Sequence, residues 1–175
     1  EGGVRHVFDS NNIHIRGNGS TAFSLFNTVN TTLKNNNILG NFDYIDISGN
    51  NSLAGYGIYL SRSHSTPPYP YPTNLTSVDY IVSNNITLAA PLNYSVELNG
   101  IEISLSEEKT IPYIISNNIN LFGGFNSLGI ETYEGYTANP SLFGEPRIVS
   151  NIISLSSFIA GGINLQSAKN NTIVS

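Results

Sequence analysis

Tyr80-Ile81-Val82-Ser83-Asn84-Asn85-Ile86-Thr87-Leu88 decides the fold, because the chain repeats it. Tyr113-Ile114-Ile115-Ser116-Asn117-Asn118-Ile119-Asn120-Leu121 matches it position by position, and Arg147-Ile148-Val149-Ser150-Asn151-Ile152-Ile153-Ser154-Leu155 keeps its centre. Degenerate copies are Val7-Phe8-Asp9-Ser10-Asn11-Asn12-Ile13-His14-Ile15 and Thr32-Leu33-Lys34-Asn35-Asn36-Asn37-Ile38, and Ile173-Val174-Ser175 opens a sixth. Between the copies lies a second motif: Gly57-Ile58-Tyr59-Leu60, Gly100-Ile101-Glu102-Ile103, Gly129-Ile130-Glu131-Thr132 and Gly162-Ile163-Asn164-Leu165, with Ala22-Phe23-Ser24-Leu25 as its first version.

The spacing turns this repeat into an architecture. From Phe8 to Leu33, and again from Ile148 to Ile173, the step is 25 residues. The intervening steps (Leu33 to Ile81, Ile81 to Ile114, Ile114 to Ile148) are 48, 33 and 34, the same unit with insertions. Alternation such as Ile-x-Leu, rich in Ile and Val, is strand-forming. Asn, Ser and Gly interrupt every run before a 3.6-residue period can build, which disfavours helix. A propeller blade takes about 40–45 residues. A unit of 25 with short strands is one coil of a parallel β-solenoid, so the expected fold is all-β: a single domain over residues 1–175, of about five coils with inserted loops.

In a solenoid, equivalent residues of successive coils lie about 4.8 Å apart. Asn11, Asn36, Asn84, Asn117 and Asn151 should therefore stack, each amide bonding the next as in an amide ladder. Asn also tolerates the left-handed backbone of a sharp corner. The core is expected in three columns. Ile81, Ile114, Ile148 and Ile173 form one. A second runs through Ile13, Ile38, Ile86, Ile119 and Ile153, with Ile15, Leu88, Leu121 and Leu155 beside it. Phe23, Ile58, Ile101, Ile130 and Ile163 form the third.

Composition narrows the function classes. The chain has 175 residues and a net charge of −5, and only 11% of it is charged, so Asn (25) and Ser (22) supply its polarity. No Cys means neither disulfides nor thiolate metal sites. Seven scattered Lys and Arg make no basic patch, so no nucleic-acid partner is expected. No apolar run approaches the roughly 18 residues of a membrane span. Asn-x-Ser/Thr sequons occur at Asn18, Asn30, Asn50, Asn74, Asn85, Asn93 and Asn170. Together with the absence of Cys and the scarcity of Lys, they point to an extracellular or cell-surface protein with N-glycosylation.

Gly162-Ile163-Asn164-Leu165-Gln166-Ser167-Ala168-Lys169-Asn170-Asn171-Thr172-Ile173-Val174-Ser175 resembles the right-handed parallel β-helix repeat of pectate-lyase-like folds and NosD-type proteins. The resemblance covers the whole chain and implies a right-handed coil. It leaves function open, since that fold hosts lyases, hydrolases, adhesins and tailspikes. Family members are much longer, which implies a module of a larger chain flanked by further coils. The chain departs from the family's catalytic patterns. Its four Asp (Asp9, Asp43, Asp46, Asp79) include no adjacent pair, and neither His-Gly nor Arg-x-Lys occurs.

Glu102 and Glu131 are the candidate site. Each follows a Gly-Ile pair, so both should point outward from adjacent coils about 5 Å apart, flanked by Tyr59 and Asn164. Such a pair would couple in titration or share a calcium ion; alternatively they are two solvated acids on a strand face. No other cofactor is expected. His6, His14 and His64 are too scattered for a metal site. The insertions 61–78, with Tyr69 and Tyr71 in a proline-rich run, and 133–146, with Tyr136, belong to one junction of the repeat and should leave on one side. Their tyrosines either contact a partner or glycan or cover the solenoid flank. The other junction carries the insertions 42–56 and 89–99.

Two functional classes follow. One is a non-enzymatic module of a surface assembly (surface-layer, filament-associated or adhesin type) whose partners are neighbouring surface proteins or further coils. The other is a polysaccharide-binding or polysaccharide-cleaving protein using the surface near Glu102 and Glu131. A viral or phage fibre segment is a third reading.

Overall fold

The computed structural model describes residues 5–17, 19–26, 28–42, 53–62, 76–92, 96–105, 110–133, 145–166 and 172–174. Among the described residues sixteen strands recur in threes, one from each coil going to each of three parallel sheets. The first sheet holds β1 (Val7–Asp9), β4 (Thr32–Lys34), β7 (Ser77–Val82), β10 (Thr110–Ile115), β13 (Arg147–Val149) and β16 (Thr172–Val174). The second holds β2 (Asn12–Arg16), β5 (Asn37–Asn41), β8 (Asn85–Ala89), β11 (Asn118–Phe122) and β14 (Ile152–Ser156). The third holds β3 (Thr21–Phe26), β6 (Leu53–Arg62), β9 (Val96–Leu105), β12 (Asn126–Tyr133) and β15 (Ile159–Leu165). The protein is a parallel β-solenoid of five coils with the first strand of a sixth.

The register is the one the repeat predicts. Ile81, Ile114, Ile148 and Ile173 pair in sequence across the first sheet. Ile86, Ile119 and Ile153 do so across the second, and Ile58, Ile101, Ile130 and Ile163 across the third. The middle coils bury these columns completely: Ile81, Ile86, Ile101, Ile114, Ile119 and Ile130 are all 0% exposed. Burying each such side chain is worth about 1.5–3 kcal/mol, so the stack of aliphatics is the main source of cohesion between coils.

The predicted amide ladder is present in full. Oδ1 of Asn36 accepts from the backbone N and Nδ2 of Asn11, and the same pair of bonds links Asn36 to Asn84, Asn84 to Asn117 and Asn117 to Asn151. Each Nδ2 also donates to a carbonyl of the preceding coil, that of Phe8, Leu33, Ile81 and Ile114 in turn. The corner is built differently from the expectation. The left-handed residue is not the stacking Asn but the one before it: Ser10, Asn35, Ser83, Ser116 and Ser150, with φ between 52° and 59°. The backbone N–H of each bonds a carbonyl of the next coil, which holds it in a conformation that side chains otherwise disfavour. A second, outer ladder joins Asn12, Asn37, Asn85 and Asn118 through their side-chain amides.

Two further features differ from the sequence reading. The strands of the third sheet begin well before the Gly-Ile motif, at Leu53, Val96, Asn126 and Ile159. The glycine is a kink within the strand rather than its start. A Cβ on Gly100 would lie 2.5 Å from Cγ2 of Ile119 and 2.6 Å from the carbonyl oxygen of Gly129, so only glycine lets the strand turn against the second sheet. Phe42, read as part of an insertion, is a core residue, 1% exposed. Its ring occupies the space that side chains at Gly40 and Gly55 would need.

Candidate functional site

The kink at Gly100 shapes the outer surface. Leu98, Gly100, Ile101 and Ile103 turn inward, so Asn99 and Glu102 on either side of the bend both point outward. The bend brings their side chains together: Nδ2 of Asn99 donates to Oε2 of Glu102 at 2.7 Å. The outer face of the third sheet is therefore a concave groove running along the solenoid axis. One wall carries Tyr56, Asn99 and Leu128 in register, with Glu97 and Asn126 beside them. The other carries Ser24, Tyr59, Glu102, Glu131 and Asn164, one per coil. Five strands at about 4.8 Å spacing make the groove about 19 Å long.

Glu102 is the buried member of that wall, 6% exposed. Tyr59 and Tyr133 reach over the coil between them, their hydroxyls 3.3 Å apart. Tyr56 packs on Tyr59 at 5.3 Å between ring centroids, and Phe26 meets Tyr59 edge-on at 5.7 Å. Amides grip the other two carboxylates: Asn126 donates to Oε1 of Glu97, and Asn164 and Gln166 donate to Oε1 of Glu131. Asn99 is 3% exposed, and its Oδ1 has no hydrogen-bond partner among the described residues.

The electrostatics follow from this packing. Burial, and then the charge of Glu131, push the Glu102 carboxyl up to about 7, against the opposing effect of hydrogen bonds from Asn99 and Tyr133. Glu131 is also raised, chiefly by burial, while the bond from Asn164 pulls the other way. Burial and the nearby Glu102 and Glu97 drive the Tyr56 hydroxyl up to about 12, and burial raises Tyr133 as well. Among the described residues, the groups that act on Glu102 include no cation. The described Lys and Arg side chains, Arg5, Arg16, Lys34 and Arg147, lie on or beside the other two sheets. Arg62 ends β6, and its side chain lies outside the described residues.

Tyr59, Glu102 and Glu131 are thus brought together, and Glu102 and Glu131 face each other across adjacent strands as their spacing predicts. They are not two solvated acids, because the kink and the tyrosines enclose Glu102. Tyr69, Tyr71 and Tyr136 lie outside the described residues, as do Asn18, Asn50, Asn74, Asn93 and Asn170. Asn30 is exposed, with Oδ1 accepting from the backbone N of Val78. Asn85 is exposed and belongs to the outer ladder. Sequence reasoning missed Tyr56, Glu97, Asn99, Asn126 and Tyr133. The alternation Val96-Glu97-Leu98-Asn99 was the available signal for two of them, hidden because the stretch reads as an insertion. Tyr133 continues the outward parity of Glu131.

Among the described residues, the remaining candidates do not gather into a site. Asp79 is buried and accepts from the backbone N of Thr31 at 2.9 Å, a structural role. No three His, Asp or Glu side chains among the described residues are arranged to hold a metal. No helix among them is long and apolar enough to cross a membrane. A shallow depression of about 480 Å³ lies at another corner, lined by Ala89, Pro91, Leu92, Phe122 and their neighbours, and contains no titratable group. Comparison with protein-family models, curated proteins and solved structures gave no match.

Proposed function

We propose that this protein is a non-enzymatic extracellular β-solenoid module of a cell-surface or envelope assembly, and that it binds carbohydrate along the groove of its third sheet. The carrying observation is the groove: an aromatic cluster of Tyr56, Tyr59 and Tyr133 set beside amides and carboxyls that recur at one-coil intervals. Sugar rings have apolar faces and hydroxyl edges, and aromatic surface next to planar polar side chains complements both. The sequons support exposure to the secretory route. Asn85 could carry a glycan while its remaining N–H keeps the bond to Asn37.

The same groove favours a second reading, cleavage, because a carboxyl titrating near 7 has the character of a general acid. Against it, Glu102 and Glu131 stack on one wall, whereas the two carboxyls of a glycosidase flank the scissile bond. A glycan-array screen, with and without calcium, tests the binding reading. Binding that Tyr59→Ala and Glu131→Gln remove, and Phe122→Ala leaves intact, supports it; no binding to any glycan refutes it. New reducing ends released from a bound polysaccharide would favour cleavage. Intact-mass measurement of native material checks for sugar on the sequons.

A further inference from the structure

We propose that the groove recognises an ammonium-bearing carbohydrate, a polymer containing unacetylated hexosamine, whose protonated amine sits among Glu97, Glu131 and Asn99. This deepens the carbohydrate reading and rests on it. One amide N–H each of Asn99, Asn126, Asn164 and Gln166 is already donated to a carboxylate oxygen. The bonds to Glu97 and Glu131 all fall on Oε1. A buried acceptor beside them, Oδ1 of Asn99, has no donor among the described residues. A buried acceptor of that kind is costly unless a ligand supplies a donor.

Charge points the same way. Three carboxyl groups lie close together: Glu131 and Glu97 raise the proton affinity of Glu102, and Glu97 raises that of Glu131. A ligand bearing a positive charge relieves that repulsion. A polyuronate adds to it, so acidic polysaccharides are disfavoured. A neutral N-acetylated sugar supplies N–H donors but no charge. The Tyr56 and Tyr59 rings beside the carboxyls give an ammonium a further favourable surface. Binding a cation lowers the proton affinity of Glu102, so complex formation should release protons.

Isothermal titration of the folded chain tests this with oligomers of glucosamine, the same oligomers fully N-acetylated, oligogalacturonate, and a lysine-rich peptide. The glucosamine oligomer should bind at least about tenfold more tightly than the others at about pH 6, with proton release seen as a buffer-dependent heat. Glu131→Gln and Glu97→Gln, checked for unchanged thermal unfolding, should each remove about tenfold of that preference. Equal binding of the N-acetylated oligomer would overturn the ammonium assignment while leaving the carbohydrate reading intact. Equal binding of the peptide would overturn the sugar specificity. Failure of every oligosaccharide would overturn both readings.

Discussion

Asn117→Ala removes the fourth of five members of the inner amide ladder, and its cost can be worked from the bonds it breaks. Asn117 is 1% exposed. Its Oδ1 accepts from the backbone N and Nδ2 of Asn84, both at 2.9 Å, and its Nδ2 donates to Oδ1 of Asn151 at 2.9 Å and the carbonyl of Ile81 at 2.8 Å. In the variant, the Asn84 backbone N–H is left buried without this acceptor, which costs about 1–3 kcal/mol. The other three bonds contribute about 0.5–1.5 kcal/mol each. Allowing for the side-chain entropy that Ala regains, the expected loss is about 4 kcal/mol. Urea unfolding followed by far-ultraviolet circular dichroism measures it. Strand pairing joins only neighbouring coils, so a fall in the denaturant slope would show the two halves unfolding separately. The exposed outer-ladder variant Asn118→Ala is the control, with a loss under about 1 kcal/mol. If Asn117→Ala loses no more than Asn118→Ala, the ladder is a consequence of stacking and not a cause of it.

The remaining predictions concern single features. Folding favours the neutral form of Glu102, since its carboxyl is raised from 4.5 to about 7; its contribution is complete below pH 4.5 and is lost as pH rises through 7, by on the order of 3 kcal/mol. Glu102→Gln should therefore be more stable than the parent at about pH 8 and similar at about pH 4, measured by thermal unfolding at both. Phe42→Ala should cost about 3–5 kcal/mol in the same urea assay, because the ring is buried between two glycines. Ser116→Gly should be nearly neutral, whereas Ser116→Val should lose about 1–3 kcal/mol, since a β-branched side chain opposes the positive φ there. Gly100→Ala should cost about 1–3 kcal/mol by forcing the kinked strand away from Ile119; a crystal structure with the strand undisplaced would contradict that account.

The register was legible because stacking makes every coil answer to the same constraints. The positions of Ile81, Ile114 and Ile148 and of Asn84, Asn117 and Asn151 are forced by contacts that recur at each winding, so they leave a repeat. The parts that escaped are set once. Phe42 fills a gap made by glycines on two different coils, and nothing local marks it as core. Gly100 reads as the edge of a motif because a kink and a strand start look alike in one dimension. The left-handed Ser residues were passed over because Asn is the better-known occupant of that conformation, whereas here Asn is needed one position later as an acceptor. For the site, the facing of Glu102 and Glu131 followed from parity, but the enclosure of Glu102 did not. It depends on Tyr59 and Tyr133 meeting across a coil and on the bend that turns Asn99 toward the glutamate.

The chain spends 25 residues between Phe8 and Leu33 and 48 between Leu33 and Ile81, yet both pairs are neighbours in the same ladder. Connection length and coil spacing are therefore independent quantities. Loops at the sheet junctions can lengthen, shorten or be exchanged by mutation without shifting the tyrosines and glutamates relative to one another. A lineage built on this plan can diversify what surrounds the groove while inheriting its geometry unchanged, much as interchangeable heads fit one tool handle.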